Sequence, residues 1–326
     1  MINSVRNTVL AIANKNNYGY ISPQDFNLYA KQAQMDMFED YFYAYNNWIN
    51  RENQRSSGKG YADIVKGLEE VIDTFSVRAF LPQVGGYSPG GSYGLNTISN
   101  QYSLPSDYYL INKAYYYPTL LMSGFTTAAV ANKLFDINAV FSDIPLSLTN
   151  PPLNSYVLNL STLQSARVLA VDSVNQLTLS SDIFVSNIPY AIYSNTNIVD
   201  IERVTQAKIF NLTSSNLTAP TQQFPAYVLD GTTITTYPET IQRQGEVQVQ
   251  YIRYPKDPKW TYVSIGADGA PLFDATATDY QDFELPLSDE PTLVAKICQY
   301  VGIEIREPDV YNFGAQEEVT DTQETS

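Results

Sequence analysis

Residues 251–263, YIRYPKDPKWTYV, and residues 283–313, FELPLSDEPTLVAKICQYVGIEIREPDVYNF, decide how this chain is read. The first is a short β-type run ending in a Pro-punctuated arm that carries Trp260. The second opens on Ser288-Asp289-Glu290-Pro291: a cap, two acids for the positive end of a helix dipole and a Pro at a permitted position. Leu293, Val294, Ile297, Tyr300 and Val301 then recur at helical spacing, Gly302 predicts a break, and a second short helix follows.

The opening residues are helical as well. Val5, Val9, Leu10, Ile12 and Ala13 share one helical face, and Asn14-Lys15-Asn16-Asn17 closes that segment with turn formers. Ser22-Pro23 is a second cap. It predicts a long helix through Phe26, Ala30, Ala33, Met37, Tyr41, Ala44, Tyr45 and Trp48 to about residue 53. Phe38 and Phe42 make that helix apolar on more than one side, the pattern of a helix buried in a bundle or against neighbouring subunits. A further helix is expected over 61–74.

After Ser76 the texture changes. Gly and Pro punctuate residues 85–91, and short apolar runs then alternate with turn residues as far as Pro286. LPSDYYLINKAYYYP, YVLNL, ARVLAVD, QLTLS, YAIYS and EVQVQYIRYP predict strands, and Asp230-Gly231 predicts a hairpin. Leu120–Phe135 and Ile201–Leu217 are candidate helices. The expected fold class is therefore α+β: N-terminal helices and a returning C-terminal helix form a bundle, and a large β-rich insertion lies between them. The expected divisions are 1–80 for the first part of the helical domain, 81–283 for the insertion, 284–313 for the returning helices and 314–326 for a flexible acidic arm.

Composition narrows the chemistry. The chain has 326 residues, a net charge of −15 and no histidine, which removes His general bases, Ser-His-Asp and Cys-His catalysis and every imidazole metal site. Cys298 is the single cysteine; on the apolar face of the closing helix it is expected to be a buried, inert thiol. A nucleic-acid binder should carry a basic stripe. This chain shows the reverse, with one basic and seven acidic residues in 303–326. Such a protein can surround a polyanion without gripping it. The 26 Tyr suit wet, extensive contact surfaces or, equally, a Tyr-rich β core. No apolar run reaches the roughly 18 residues of a membrane span, and the first residues lack a signal-peptide pattern.

Glu239, Glu246, Asp268, Asp274, Asp279 and Asp282 offer carboxylates to a glycosidase-type pair, though any acidic β region does so. Asp143 and Asp172 lack the spacing of a calcium loop. Gly85-Gly86 and Gly90-Gly91 lack the Lys-Ser/Thr of a phosphate cradle. Arg51, Arg55, Lys59 and Lys66 form a small basic cluster, more in keeping with a solvated helix end than a nucleic-acid site. Tyr115-Tyr116-Tyr117 is a candidate sugar-stacking platform. No catalytic, cofactor or metal residue is assigned, and the reading is non-enzymatic.

Three stretches carry a resemblance: 1–46, MINSVRNTVLAIANKNNYGYISPQDFNLYAKQAQMDMFEDYFYAYN; 224–263, FPAYVLDGTTITTYPETIQRQGEVQVQYIRYPKDPKWTYV; and 283–318, FELPLSDEPTLVAKICQYVGIEIREPDVYNFGAQEE. Together they resemble the head-to-tail ring proteins of crAss-like and related short-tailed phages, an architecture similar to the tail tubular protein A class of adaptors. The resemblance implies a homo-oligomeric ring, of about twelve copies, below the portal protein of a virion. It implies that portal or neighbouring tail rings are the partners and that genomic DNA passes through without sequence-specific contact. It also implies contacts made by Tyr41, Tyr45 and Trp48 on the long helix, Trp260 in the arm, Tyr311 and Phe313 near the end, and Glu317 and Glu318 in the tail. A carbohydrate-binding or depolymerising tail component, or a minor capsid or scaffold protein, are the alternatives.

Overall fold

A computed structural model of the chain describes residues 1–13, 21–54, 69–85, 99–141, 155–264, 271–305 and 310–316; the side chains of 46–54 and 304–305 lie outside that description. The fold is mixed α and β, and the chain divides into two units. One joins Met1–Phe75 to Tyr254–Ser326, and the other is Ser76–Arg253.

In the first unit, helix α1 (Ile2–Ala13) buries Ile2, Val5, Val9 and Ala13, the face that the spacing predicts. Helix α2 (Pro23–Gln54) starts where Ser22 accepts the Asp25 amide at 3.1 Å, which satisfies one of the helix's orphan donors. It places Phe26, Ala30, Ala33 and Met37 in the same core. Its second apolar side is also used within the chain: Phe38 meets Phe42, Phe75 and Tyr254 edge-on or tilted, with ring centroids 4.9–6.0 Å apart. Residues 69–74 are helical; the remainder of the expected 61–74 helix lies outside the described residues.

The second unit is built from closed β ladders. Its strands are β1 (Ser76–Phe80), β2 (Gln101–Ser103), β3 (Tyr108–Tyr116), β4 (Leu120–Phe125), β5 (Ala128–Val130), β6 (Lys133–Phe135), β7 (Tyr156–Asn159), β8 (Ser165–Ser173), β9 (Gln176–Leu179), β10 (Pro189–Tyr193), β11 (Val199–Arg203), β12 (Ala226–Asp230), β13 (Thr233–Tyr237) and β14 (Val247–Arg253). The order β1-β14-β3-β11-β12-β13-β2 forms one sheet, antiparallel except for β11 against β12. Its ends meet. The chain after β1 bridges β2 through Gln83 and Tyr102, with Ser103 N donating to Pro82 O at 2.9 Å and Val84 N to Gln101 O at 2.8 Å. The interior holds Leu81, Tyr102, Ile111, Tyr116, Ile234, Val247 and Val249.

The second sheet, β4-β10-β7-β8-β9-β6-β5, comes entirely from Leu120–Tyr193 and interrupts the first between β3 and β11. It closes too, because β4 runs through Thr126 and Thr127 straight into β5; those two amides donate to Ile188 O and Phe135 O, each at 2.9 Å. Closure removes the exposed strand edges that an open sheet of this size must protect. Strand β10 is buried at every position. Tyr190 and Ile192 point into this second barrel, while Ala191 and Tyr193 pack with Phe80, Tyr117 and Leu158 where the two barrels meet. Leu120–Phe135 is thus three strands rather than a helix. A short apolar run has no decisive period, and here long-range pairing with β10, β6 and β9 chooses its state. Of Ile201–Leu217, only α3 (Gln206–Thr213) is an α-helix, and it follows β11.

The insertion ends earlier than residue 283. Residues 254–283 join the helical unit: Gln34 of α2, 1 % exposed, donates to Lys256 O at 2.8 Å and accepts the Glu284 amide at 3.0 Å. The arm continues into the hairpin β15 (Tyr262–Ser264) and β16 (Pro271–Phe273), then into α4 (Glu290–Ile305). Leu293, Val294, Ile297, Cys298 and Val301 of α4 share the core of α1 and α2. Burial pushes the Cys298 thiol up to about 12, so it stays protonated and unreactive at neutral pH.

Glu246, 2 % exposed, gives the second unit a pH dependence. Burial raises its carboxyl above the ordinary value of 4.5, against the lowering effect of the Arg243 amide, 3.2 Å away, and guanidinium. A raised acid keeps its proton to higher pH in the folded state than in the unfolded chain, so its contribution falls as pH climbs from the ordinary value through the raised one. Glu246→Gln is expected to leave the Tm unchanged near pH 4 and to raise it at pH 7, read by thermal melts at both values.

Candidate functional site

Trp260 sits at the centre of the helical unit. The Pro255 and Pro258 kinks of the arm deliver it between α1 and α2, where it is 2 % exposed. Asn27 of α2 clasps its backbone, accepting from Trp260 N at 2.8 Å and donating to Trp260 O at 3.2 Å. Asn3 of α1 takes the indole N–H at 3.1 Å, and the Arg6 guanidinium lies 3.9 Å from the ring centroid. Tyr262 and Phe273 of the hairpin stack within 5.8 Å. Trp260 was expected at an interface between chains; the structure makes it a core side chain, and its burial is intramolecular.

Carboxylates order the ends around this core. Asp282 accepts the Ile2 amide at 2.7 Å and the Phe283 amide at 2.9 Å, and its other oxygen faces the Met1 ammonium at 3.0 Å. Burial alone would raise its carboxyl, but the ammonium and the two amides outweigh that and hold it below the usual range. Along α2, Asp36 accepts the Tyr300 hydroxyl at 2.5 Å, Asp40 pairs with Lys296 at 3.1 Å, and Tyr41 donates to Asp289. Burial and the Asp289 carboxylate raise the Tyr41 hydroxyl. Tyr41 is therefore half-buried and spoken for within its own chain. Tyr45 donates to Glu69 at 3.1 Å from a more open position.

Tyr311 and Phe313 are 43 % and 40 % exposed on the helical segment 310–316. That segment approaches α4 closely because two glycines permit it. A Cβ at Gly302 would lie 2.6 Å from Tyr311 N, and one at Gly314 would lie 2.5 Å from Ala295 O. Gly302 therefore does not break the helix as expected: α4 runs through it to Ile305, and the missing side chain is what lets the next segment dock. Gly302→Val is expected to lift residues 310–316 off α4, seen as faster hydrogen exchange of their amides with α1 unaffected. The Trp48 side chain, Glu317 and Glu318 lie outside the described residues.

The other chemical candidates disperse. Tyr116 and Tyr117 are each 3 % exposed, so the Tyr115–Tyr117 run is core rather than a sugar platform. Asp274 holds Thr276, Asp279 pairs with Lys259 at 2.6 Å, and Asp172 pairs with Lys133 at 2.8 Å. Among the described residues, no three carboxylates or thiols gather as a metal-ligand set, and no helix is long and apolar enough to cross a membrane. Asp143, Asp268, Lys59 and Lys66 fall outside the described residues, as do the side chains of Arg51 and Arg55.

Two surface features were not foreseen. A groove of about 870 Å³ opens beside β4 in the second barrel, lined among others by Asp136, Tyr190, Phe125 and Val140. Tyr190 donates to Asp136 at 2.8 Å under Gly124, where a Cβ would stand 2.7 Å from the carboxylate. The crossover from β11 to β12 holds out Phe210, Leu217 and Phe224 at 74 %, 94 % and 79 % exposure. The run of turn residues and unpatterned apolar positions over 211–225 was the available signal for the second feature. No family model matches the chain, and no curated protein matches it significantly.

Proposed function

We propose that the chain is a structural, non-enzymatic component of a short-tailed phage virion: an adaptor ring between portal and tail, built from many copies and continuing the DNA channel. The observation that carries this reading is that the two ends of the chain share one helical core, while the middle forms a separate β unit. That is the division the resemblance implies. In this reading α1, α2 and α4 form the adaptor's bundle, and the double barrel is its insertion. The net charge of −15 lets a polyanion slide past, because an acidic surface offers few cationic side chains to displace the counterions condensed on the phosphates.

Tyr311 and Phe313, docked through glycines yet left open to solvent, are the contacts this reading assigns to a neighbouring ring, together with the acidic residues Glu317 and Glu318. The test is the oligomeric state and DNA affinity of the purified full chain. Mass photometry and a salt series of DNA-binding measurements should give a single high-order oligomer and no measurable binding of duplex DNA at low salt. A strictly monomeric chain, or one that grips DNA with a steep salt dependence, would argue against it. Binding to host glycans would favour the carbohydrate reading instead.

A further inference from the structure

We propose that the acidic residues 317–324 of one copy dock on an arginine–tyrosine face of the β unit of a second copy. The contact rests on the self-assembling reading above and gives Glu317 and Glu318 a seat.

The charge of the chain is divided unequally. Met1–Phe75 with Tyr254–Ser326 holds 24 acidic and 11 basic residues, whereas Ser76–Arg253 holds 10 and 8. Two helical units repel each other, so copies meet at least cost where the helical unit of one faces the β unit of the next.

One part of the β unit offers hydrogen-bond donors in excess. Arg78 of β1 stands on the outer face, since its neighbours Val77 and Ala79 pack into the first barrel. Burial pushes the Tyr117 hydroxyl up to about 12, and Arg78 lies close enough to pull against that rise. The Tyr117 ring is 6.3 Å from that of Tyr156 on β7, and the Arg167 guanidinium of β8 lies 5.6 Å from the Tyr156 ring centroid. Tyr115 of β3 and Tyr156 are half-buried against the same aromatic core.

Both arginines are exposed, and among the described residues neither is ion-paired with a carboxylate. Arg167 gives one N–H to the Tyr156 hydroxyl at 3.4 Å, which leaves that hydroxyl its own proton to donate. Asp200, in register with Tyr115, is taken by Lys113 at 3.5 Å. Donors without acceptors call for an anion, and a carboxylate matches the guanidinium fork.

Residues 317–324, EEVTDTQE, bring Glu317, Glu318, Asp321 and Glu324 and no cation. The described chain reaches Gln316, and the eight residues from there to Glu324 extend to roughly 26–29 Å, enough to reach from one copy onto another. A long polyanion would meet the charge of the whole chain, but so short a segment meets the face alone. Copies held side by side raise the local concentration of the segment, so a few surface pairs suffice. The contact is head-to-tail. Each copy that lends its segment still offers its face, and the assembly propagates until it closes as a ring.

The experiment uses full-length chain carrying Glu317→Gln, Glu318→Gln, Asp321→Asn and Glu324→Gln, so that its own segment does not compete. A labelled peptide of residues 314–326 is titrated against it by fluorescence anisotropy. The expected result is saturable binding that weakens with salt and falls roughly tenfold or more when Arg78→Glu and Arg167→Glu are added. Circular dichroism checks the fold of each chain. A peptide with Glu317→Lys, Glu318→Lys, Asp321→Lys and Glu324→Lys should show the opposite preference. In sedimentation velocity the tail-neutralised chain should need higher concentrations than wild type to assemble. No peptide binding, binding indifferent to the two arginines, or a single-stranded oligonucleotide taking the face where the peptide does not, overturns the contact while leaving the ring reading in place. Peptide binding with unaltered assembly puts the segment on its own copy and overturns it as well. A wild-type chain that stays monomeric at every concentration overturns both.

Discussion

Trp260→Ala is expected to destabilise the helical unit by roughly 3–5 kcal/mol, the cost of emptying a large aromatic site in a core that cannot fully collapse. The reason lies in what converges on that ring. Asn3 and Arg6 come from α1, Asn27 from α2, and Tyr262 and Phe273 from the hairpin that precedes α4. Removing the indole leaves a half-buried acceptor on Asn3 without its donor and a buried guanidinium without its aromatic face, in addition to the cavity. Trp260→Phe keeps the stack and loses the N–H, so it should cost about 1 kcal/mol plus a smaller cavity. Urea unfolding followed by far-UV circular dichroism distinguishes the two. A Trp260→Ala chain as stable as wild type would mean that α1, α2 and the arm do not share one core.

The second large effect belongs to Gly245, where the β unit depends on a missing side chain. Its φ of 83° lies in the left-handed region, and a Cβ there would stand 2.1 Å from Leu158 Cδ2. Leu158 is fully buried among Tyr117, Ala191 and Tyr193, so it has no room to yield. The neighbouring residue is fixed as well, since Gln244 O accepts the Tyr193 hydroxyl at 3.0 Å and its side chain accepts the Gln83 amide at 2.8 Å. Gly245→Ala therefore combines backbone strain with overpacking, and a loss of roughly 3 kcal/mol is expected. Combining it with Leu158→Ala should cost clearly less than the sum of the single changes, because the second change removes the obstacle that the first one meets. Additive costs would show that the strain lies in the backbone alone.

The sequence made the local signals legible. Val5 and Val9 at helical spacing, Ser22 as a cap and the Leu293–Val301 face of the last helix all occupy the predicted positions. Asp230-Gly231 makes the hairpin between β12 and β13, with Gly231 at a φ of 59°. What escaped depends on partners far away along the chain. Neither barrel closure has a local signature. One is made by backbone bonds between Pro82–Val84 and Gln101–Ser103, the other by Thr126 and Thr127 continuing β4 into β5. Gly302 reads as a helix break when only its own segment is considered; its role is visible once Tyr311 is placed against it. Trp260 and Tyr41 were assigned to contacts between chains because amphipathic aromatics serve such surfaces and cores equally well. Asn3 and Asn27, which hold Trp260, and Asp289, which accepts from Tyr41, carry no pattern of their own. The exposed Leu217 and Phe224 were missed for the converse reason: a loop without periodicity does not announce which of its apolar residues face water.

Single-particle imaging of the phage particle, with this chain traced into the density, tests the central claim most directly. The account predicts a closed ring coaxial with the portal, its helical unit formed from both chain ends and its copies in head-to-tail contact. Density for the chain in a peripheral fibre, or in a capsid position away from the portal vertex, would contradict it.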